Sequence, residues 1–121
     1  MKVLVLTSTA LGTINAANTG KTEEESRQFG QTMMAKFLHN LESKGERIST
    51  IVCYTEGIFN AVKGSETALS LAFLQDAGVK ILLCSTCVNF YGLDSNNLVG
   101  TMSDMATIVD TITKADTVIR P

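Results

Sequence analysis

Gly78-Val79-Lys80-Ile81-Leu82-Leu83-Cys84-Ser85-Thr86-Cys87 decides the fold and locates the chemistry. Residues 79–83 form a short, almost unbroken apolar run behind a glycine. Such a run predicts a strand covered on both faces, the habit of parallel sheets. Working outward, residues 2–7 (K-V-L-V-L-T) and 48–54 (I-S-T-I-V-C-Y) have the same character, and residues 117–119 (T-V-I) read as a short last strand.

Helical patterns separate these runs. Thr22-Glu23-Glu24-Glu25 opens the first with a capping box, in which Thr22 and Glu25 satisfy each other's orphan donors. Phe29, Met33, Phe37 and Leu41 then recur every four residues, widened by Met34 and Leu38, and Gly45 after Lys44 offers a left-handed exit. A second helix is predicted from Ser65 through Leu69, Phe73 and Leu74 to Gly78. A third runs from Ser103-Asp104 through Met105, Ile108, Val109 and Ile112 to Ala115. A shorter helical piece over 57–62 follows the second strand. The alternation predicts one domain, 1–121, of the α/β class: three α/β/α layers around a mostly parallel sheet of four to five strands. The three longer strands are expected to be parallel neighbours.

A net charge of −2 leaves no basic footprint for nucleic acid or an anionic membrane, so neither is expected as a partner. The apolar stretch after Met1 is too short for a signal sequence, and no run is long enough to span a bilayer. The expected compartment is the cytoplasm, where thiols stay reduced. Three cysteines then read as reactive, metal-binding or core residues rather than a disulfide framework. Metal is the weaker reading, because only Cys53 and His39 remain to complete a set around Cys84 and Cys87; no cofactor is expected.

The chemistry therefore falls on Cys84-Ser85-Thr86-Cys87. Ligands of open α/β sheets bind beyond the carboxyl ends of the strands, where Cys84 is expected. Residues 86–91, closed by Gly92, can turn helically, so the N–H groups of Thr86, Cys87 and Val88 are expected to face the Cys84 sulfur and favour its thiolate. Cys84 is then the thiol that reacts first, and Cys87 helps release what it carries. The competing reading is two small core residues, the usual fate of free cysteine, but the pair's place at a loop edge counts against it. Cys53, Tyr54, Glu56 and Gly57, at the end of the second strand, are candidate neighbours of the site. Ser85 and Thr86 sit within it, and Glu56 is a candidate proton handler.

The loop over 9–21 invites another reading. Asn15 to Thr22 matches a phosphate-binding loop except that Asn15 stands for the first glycine, and no later strand ends in an aspartate to hold magnesium. The alternative is a loop whose Thr22 caps a helix. Lone His39 reads as a surface residue.

The segment from Gly78 to Leu93, with its Cys84-x-x-Cys87, resembles the signature of DsrE/DsrF-like proteins, in particular the DsrE-like half of YedF-type selenium-metabolism proteins. Tyr54, Gly57-Ile58, Gly64-Ser65, Val99-Gly100, Ser103-Asp104-Met105 and the ending Ala115 to Pro121 extend the likeness along most of the chain. The resemblance implies a three-layer α/β/α fold and sulfur-relay chemistry, with the persulfide-carrying cysteine mapping onto Cys84. It implies sulfur or selenium donor and acceptor proteins as partners. YedF-type proteins carry an N-terminal TusA-like domain; these 121 residues hold none, so a separate TusA-like carrier is the implied partner. It also implies assembly, and the apolar residues near the site (Ile58, Phe59, Val88, Phe90, Leu93, Leu98 and Val99) are expected to be covered in a homo-oligomer. Two alternatives remain open: a dithiol oxidoreductase using Cys84 and Cys87, and a non-catalytic nucleotide-binding or scaffold module using the 15–22 loop.

Overall fold

A computed structural model describes residues 1–43 and 48–121. Lys44 and Gly45, expected to form the exit of the first helix, lie outside the described residues.

Five strands form one sheet: β1 (Lys2–Leu6), β2 (Thr50–Cys53), β3 (Lys80–Cys84), β4 (Thr101–Ser103) and β5 (Thr117–Ile119). Their order is β4-β3-β2-β1-β5, and every pairing is parallel. The three apolar runs are therefore the three central strands, with Leu4 opposite Ile51 and Ile51 opposite Ile81. β4 was not legible in the sequence. It is three residues long, partly exposed and polar, and lies where a helix start was expected. Asp104 just beyond it is the actual helix cap, its Oδ1 accepting the Thr107 N–H at 2.7 Å.

The helices are α1 (Glu23–Leu41), α2 (Glu66–Asp76), α3 (Ser85–Phe90) and α4 (Met105–Lys114), with a 3-10 segment over Thr55–Ala61 and a shorter one over Ser95–Asn97. The Thr22/Glu25 capping box forms as expected, with both bonds at 3.0 Å. Stepping β1-β2-β3 in one direction puts α1 and α2 on one face; the return from β4 to β5 puts α4 on the other. Alternation along the strands divides the core accordingly. Leu4, Leu6, Ile51, Cys53, Ile81 and Leu83 pack with Met34, Leu38, Leu71 and Leu74. Val3, Val5, Val52 and Cys84 pack with Ile108.

The buried stripes are rotated from those expected. On α1 the buried residues are Gly30, Met34 and Leu38, while Phe29 is exposed. The cause is the loop after β1. Leu11 N–H bonds Gly30 O at 2.9 Å, and a side-chain carbon at Gly30 would lie 2.7 Å from both Ala10 Cβ and Ile14 Cδ1. Gly30 is the notch that lets this loop lie along the helix. On α2, Ala68, Ser70, Leu71 and Leu74 face inward, and Leu69 and Phe73 outward. On α4 only Ile108 is buried; Met105 and Val109 are exposed.

The site-edge apolar residues also differ from expectation. Ile58, Val88, Leu98 and Val99 belong to the core, Phe59 and Leu93 are partly buried, and Phe90 alone of that set is largely exposed, at 81%. Short helical and 3-10 segments fold the others inward over the ends of the strands.

Candidate functional site

Cys84 is the last residue of β3 and the cap position of α3. The pleat directs it to the α4 face, among Val3, Val5, Val52 and Ile108, and it is 1% exposed. Its sulfur accepts no N–H from the first turn of α3. The expected fan of donors from Thr86, Cys87 and Val88 is therefore not made, because the strand's alternation turns the side chain into the core rather than over the helix end.

Cys87 lies within α3, partly buried against both core clusters. Its Sγ accepts the backbone N–H of Thr55 at 3.1 Å. Burial pushes the Cys87 thiol above its ordinary value, and the neighbouring Cys84 thiol adds to the rise, while the Thr55 N–H acts against it. Cys87 packs against the cluster of Val3, Val5, Val52, Cys84 and Ile108, which sets the two thiols on the same side of the sheet edge.

Thr55 is the residue that sequence reading passed over. It has φ +49, an uncommon conformation for a β-branched side chain. Its hydroxyl reaches Tyr54 O at 2.7 Å and Thr7 O at 3.2 Å. Around it, residues 54–57 are strapped to the end of β1. Tyr54 N–H donates to Leu6 O at 3.2 Å, and Gly57 lies so close to the same carbonyl that a Cβ there would stand 1.9 Å from its oxygen. Asn60, 1% exposed, ties the far side down, its Nδ2 donating to Ser8 O at 2.9 Å and Gly57 O at 3.1 Å. A lone amide within Ile58-Phe59-Asn60-Ala61-Val62 was a usable sign of a buried side chain held by backbone carbonyls; its Nδ2 is bonded, while its buried Oδ1 has no partner among the described residues. A left-handed threonine leaves no comparable sign.

The other candidates divide. Tyr54 packs against the cluster that holds Cys84. Ser85 is half-buried and Thr86 exposed in the first turn of α3. Glu56 is exposed, and Gly57 shapes the strap rather than the thiols. Cys53 is not brought to the site. It is fully buried on the α1/α2 face, opposite to Cys84, and burial pushes its thiol up to about 12. Ser103, read in the sequence as a helix start, instead pairs with Cys84 across the edge of the sheet. His39 is exposed, with Nδ1 3.2 Å from Glu42 Oε2.

A partly reachable thiol against a buried one can exchange a sulfur atom or close a disulfide. Among the described residues no three His, Cys, Asp or Glu side chains converge as metal ligands. Nor is any helix among them long and apolar enough to cross a membrane. At the 15–22 loop, the capping box engages the Glu25 N–H, and three carboxylates in the first turn oppose a phosphate.

Solved structures share this architecture. MTH1491 from Methanobacterium thermoautotrophicum, described as of unknown function, superposes with a TM-score of 0.64 at 22% identity, over 99% of this chain and 97% of that one. The ychN protein from E. coli gives 0.60 at 15%, over 99% and 97%. BT1422 from Bacteroides thetaiotaomicron, also of unknown function, gives 0.61 at 16%, over 99% and 94%. At these identities the likeness is one of fold. No curated protein matches the sequence. The model of the DsrE/DsrF-like family, however, matches residues 1–121, the same span over which the parallel sheet and its edge thiols are built, and the chain belongs to that family.

Proposed function

We propose that this protein is a sulfur-relay carrier in which Cys84 holds a persulfide and Cys87 is the helper thiol. Family membership supports a role of the sulfur-relay type. The observation that carries the finer reading is the placing of two free thiols at the carboxyl edge of the sheet, Cys84 buried at 1% exposure and the more reachable Cys87 packed against the cluster that holds it. A persulfide is easily reduced or oxidised, so a sulfur stored among Val3, Val5, Val52 and Ile108 is shielded until a second thiol calls it out. Selenium in place of sulfur follows the same exchange chemistry. The partners are then persulfide donor and acceptor proteins, among them a separate TusA-like carrier, and a second copy of this chain.

Incubation with a persulfide donor followed by intact-mass analysis tests the reading. One sulfur atom gained, and found on Cys84 by peptide mapping once loading is complete, is the expected result. Reversible loss of two hydrogens without sulfur uptake would instead make the pair a dithiol oxidoreductase.

A further inference from the structure

We propose that sulfur enters at Cys87, held there by the Thr55 backbone N–H, and is then handed inward to Cys84. This rests on the carrier reading and reverses the order of reaction expected from the sequence.

Access is the first argument. Exchange requires the attacking sulfur to reach the donor's outer sulfur in line with the bond that breaks. Cys84 sits at 1% exposure beneath α4, whereas Cys87 is only partly buried on α3. A bulky donor meets Cys87 first.

The second argument is the strap. The Thr55 N–H stands 3.1 Å from the Cys87 sulfur, so it supports negative charge there both when Cys87 attacks and when it leaves. The left-handed conformation at Thr55 is one that its own β-branched side chain disfavours. It persists because Tyr54 N–H, the Thr55 hydroxyl, the Gly57 backbone and the Asn60 amide all fasten residues 54–60 to the end of β1. Cys84 receives no such donor from its own helix.

The exchange balances without an external oxidant. The Cys87 thiolate attacks the outer sulfur of a donor persulfide; that S–S bond breaks and the donor leaves as a thiolate with the electron pair. Cys84 then gives up its proton and attacks the same outer sulfur. A new S–S bond forms on Cys84, and Cys87 departs as a thiolate toward the Thr55 N–H and takes the proton that Cys84 released. Two thiols and one sulfane sulfur are present before and after.

Glutathione persulfide is the probe, with rapid alkylation and peptide mapping at successive times. The wild-type protein is expected to carry the added sulfur on Cys87 first and on Cys84 later. Cys84→Ser should load at the wild-type rate and keep the sulfur on Cys87, and Cys87→Ser should load about tenfold or more slowly. In the Cys84→Ser background, Thr55→Val removes the hydroxyl anchors, and the pH profile of Cys87 alkylation should move alkaline by about one unit, a tenfold slower reaction near neutrality. Thr55→Asn, which tolerates the left-handed conformation, should restore the profile. If Cys87→Ser loads as fast as wild type, with Cys84 labelled at the earliest time, the entry order is overturned and the carrier survives. An unchanged profile in Thr55→Val overturns the role of the strap. No uptake by wild type overturns the carrier reading, and this proposal with it.

Discussion

Three cysteines in this chain receive three environments from the same sheet. Cys53 and Cys84 end neighbouring strands but point to opposite faces, and Cys87 lies one helical turn beyond Cys84. Burial makes Cys53 a proton-retaining core residue rather than a nucleophile. Its thiol keeps its proton up to about 12 in the folded chain, against an ordinary value of 9.0 when unfolded. The unfolded state therefore holds fewer protons between those limits, and stability falls as pH rises through that window by about 1.4 kcal/mol per unit. Below pH 9 the contribution is fully present. Urea unfolding of wild type and Cys53→Ala at about pH 8 and about pH 10 should show wild type losing roughly 1 kcal/mol more than the variant. Parallel losses in the two proteins would mean that burial does not govern this thiol. The Cys84-x-x-Cys87 spacing and its place at a strand end were legible in the sequence, because apolar runs and helix-forming turns have periodic signatures. The direction of the Cys84 side chain was not. It depends on the strand's register within the sheet, where one residue decides the face. Thr55 was illegible for a different reason: its conformation is imposed by bonds to Thr7, Tyr54 and Cys87, two of them distant in the chain.

At the scale of elements, α4 roofs the cluster that contains Cys84, and Ile108 is its buried residue there. Ile108→Ala should cost about 2–5 kcal/mol, from lost burial and the cavity left behind. That cavity would open beside Cys84. The variant should therefore show, besides a lower urea midpoint, faster alkylation of Cys84 in the native state. Val109→Ala, one position on and 50% exposed, should stay within about 0.5 kcal/mol of wild type and leave Cys84 protected. Equal effects of the two substitutions would refute the roof. The existence and type of the longer helices could be read from caps and periodicity. Their rotation was misread on α1 because a four-residue repeat starting at Phe29 and one starting at Gly30 run side by side. The notch that Gly30 makes for Ala10 and Ile14 selects the second. β4 escaped notice because a three-residue edge strand needs little apolar character. It is held by backbone pairing to Leu82, Leu83 and Cys84.

For the molecule as a whole, the strand order turns connectivity into a site. Successive steps from β1 to β4 followed by one long return to β5 leave the carboxyl ends of β1, β2 and β3 side by side under the 54–60 strap and α3. The aromatic chain Phe59-Tyr91-Phe90, with ring centroids 4.9 and 5.0 Å apart, leads outward from that edge. It begins partly buried and ends on Phe90, 81% exposed on the helix that carries Cys87. An aromatic ring so placed gains most by being covered, and whatever covers it lies over the reachable thiol. A second copy of the chain is the proposed cover. Sedimentation velocity should then give a closed homo-oligomer for wild type, and Phe90→Ser should shift it toward monomer. Because the ring makes few internal contacts, the substitution should change the stability of the monomer by no more than about 0.5 kcal/mol. A wild-type protein that stays monomeric at every concentration would exclude the assembly and leave Phe90 free to receive the donor instead. The two cases separate further at the thiol. In an oligomer that covers Phe90, Phe90→Ser should quicken alkylation of Cys87, whereas in a lasting monomer the rate should not change.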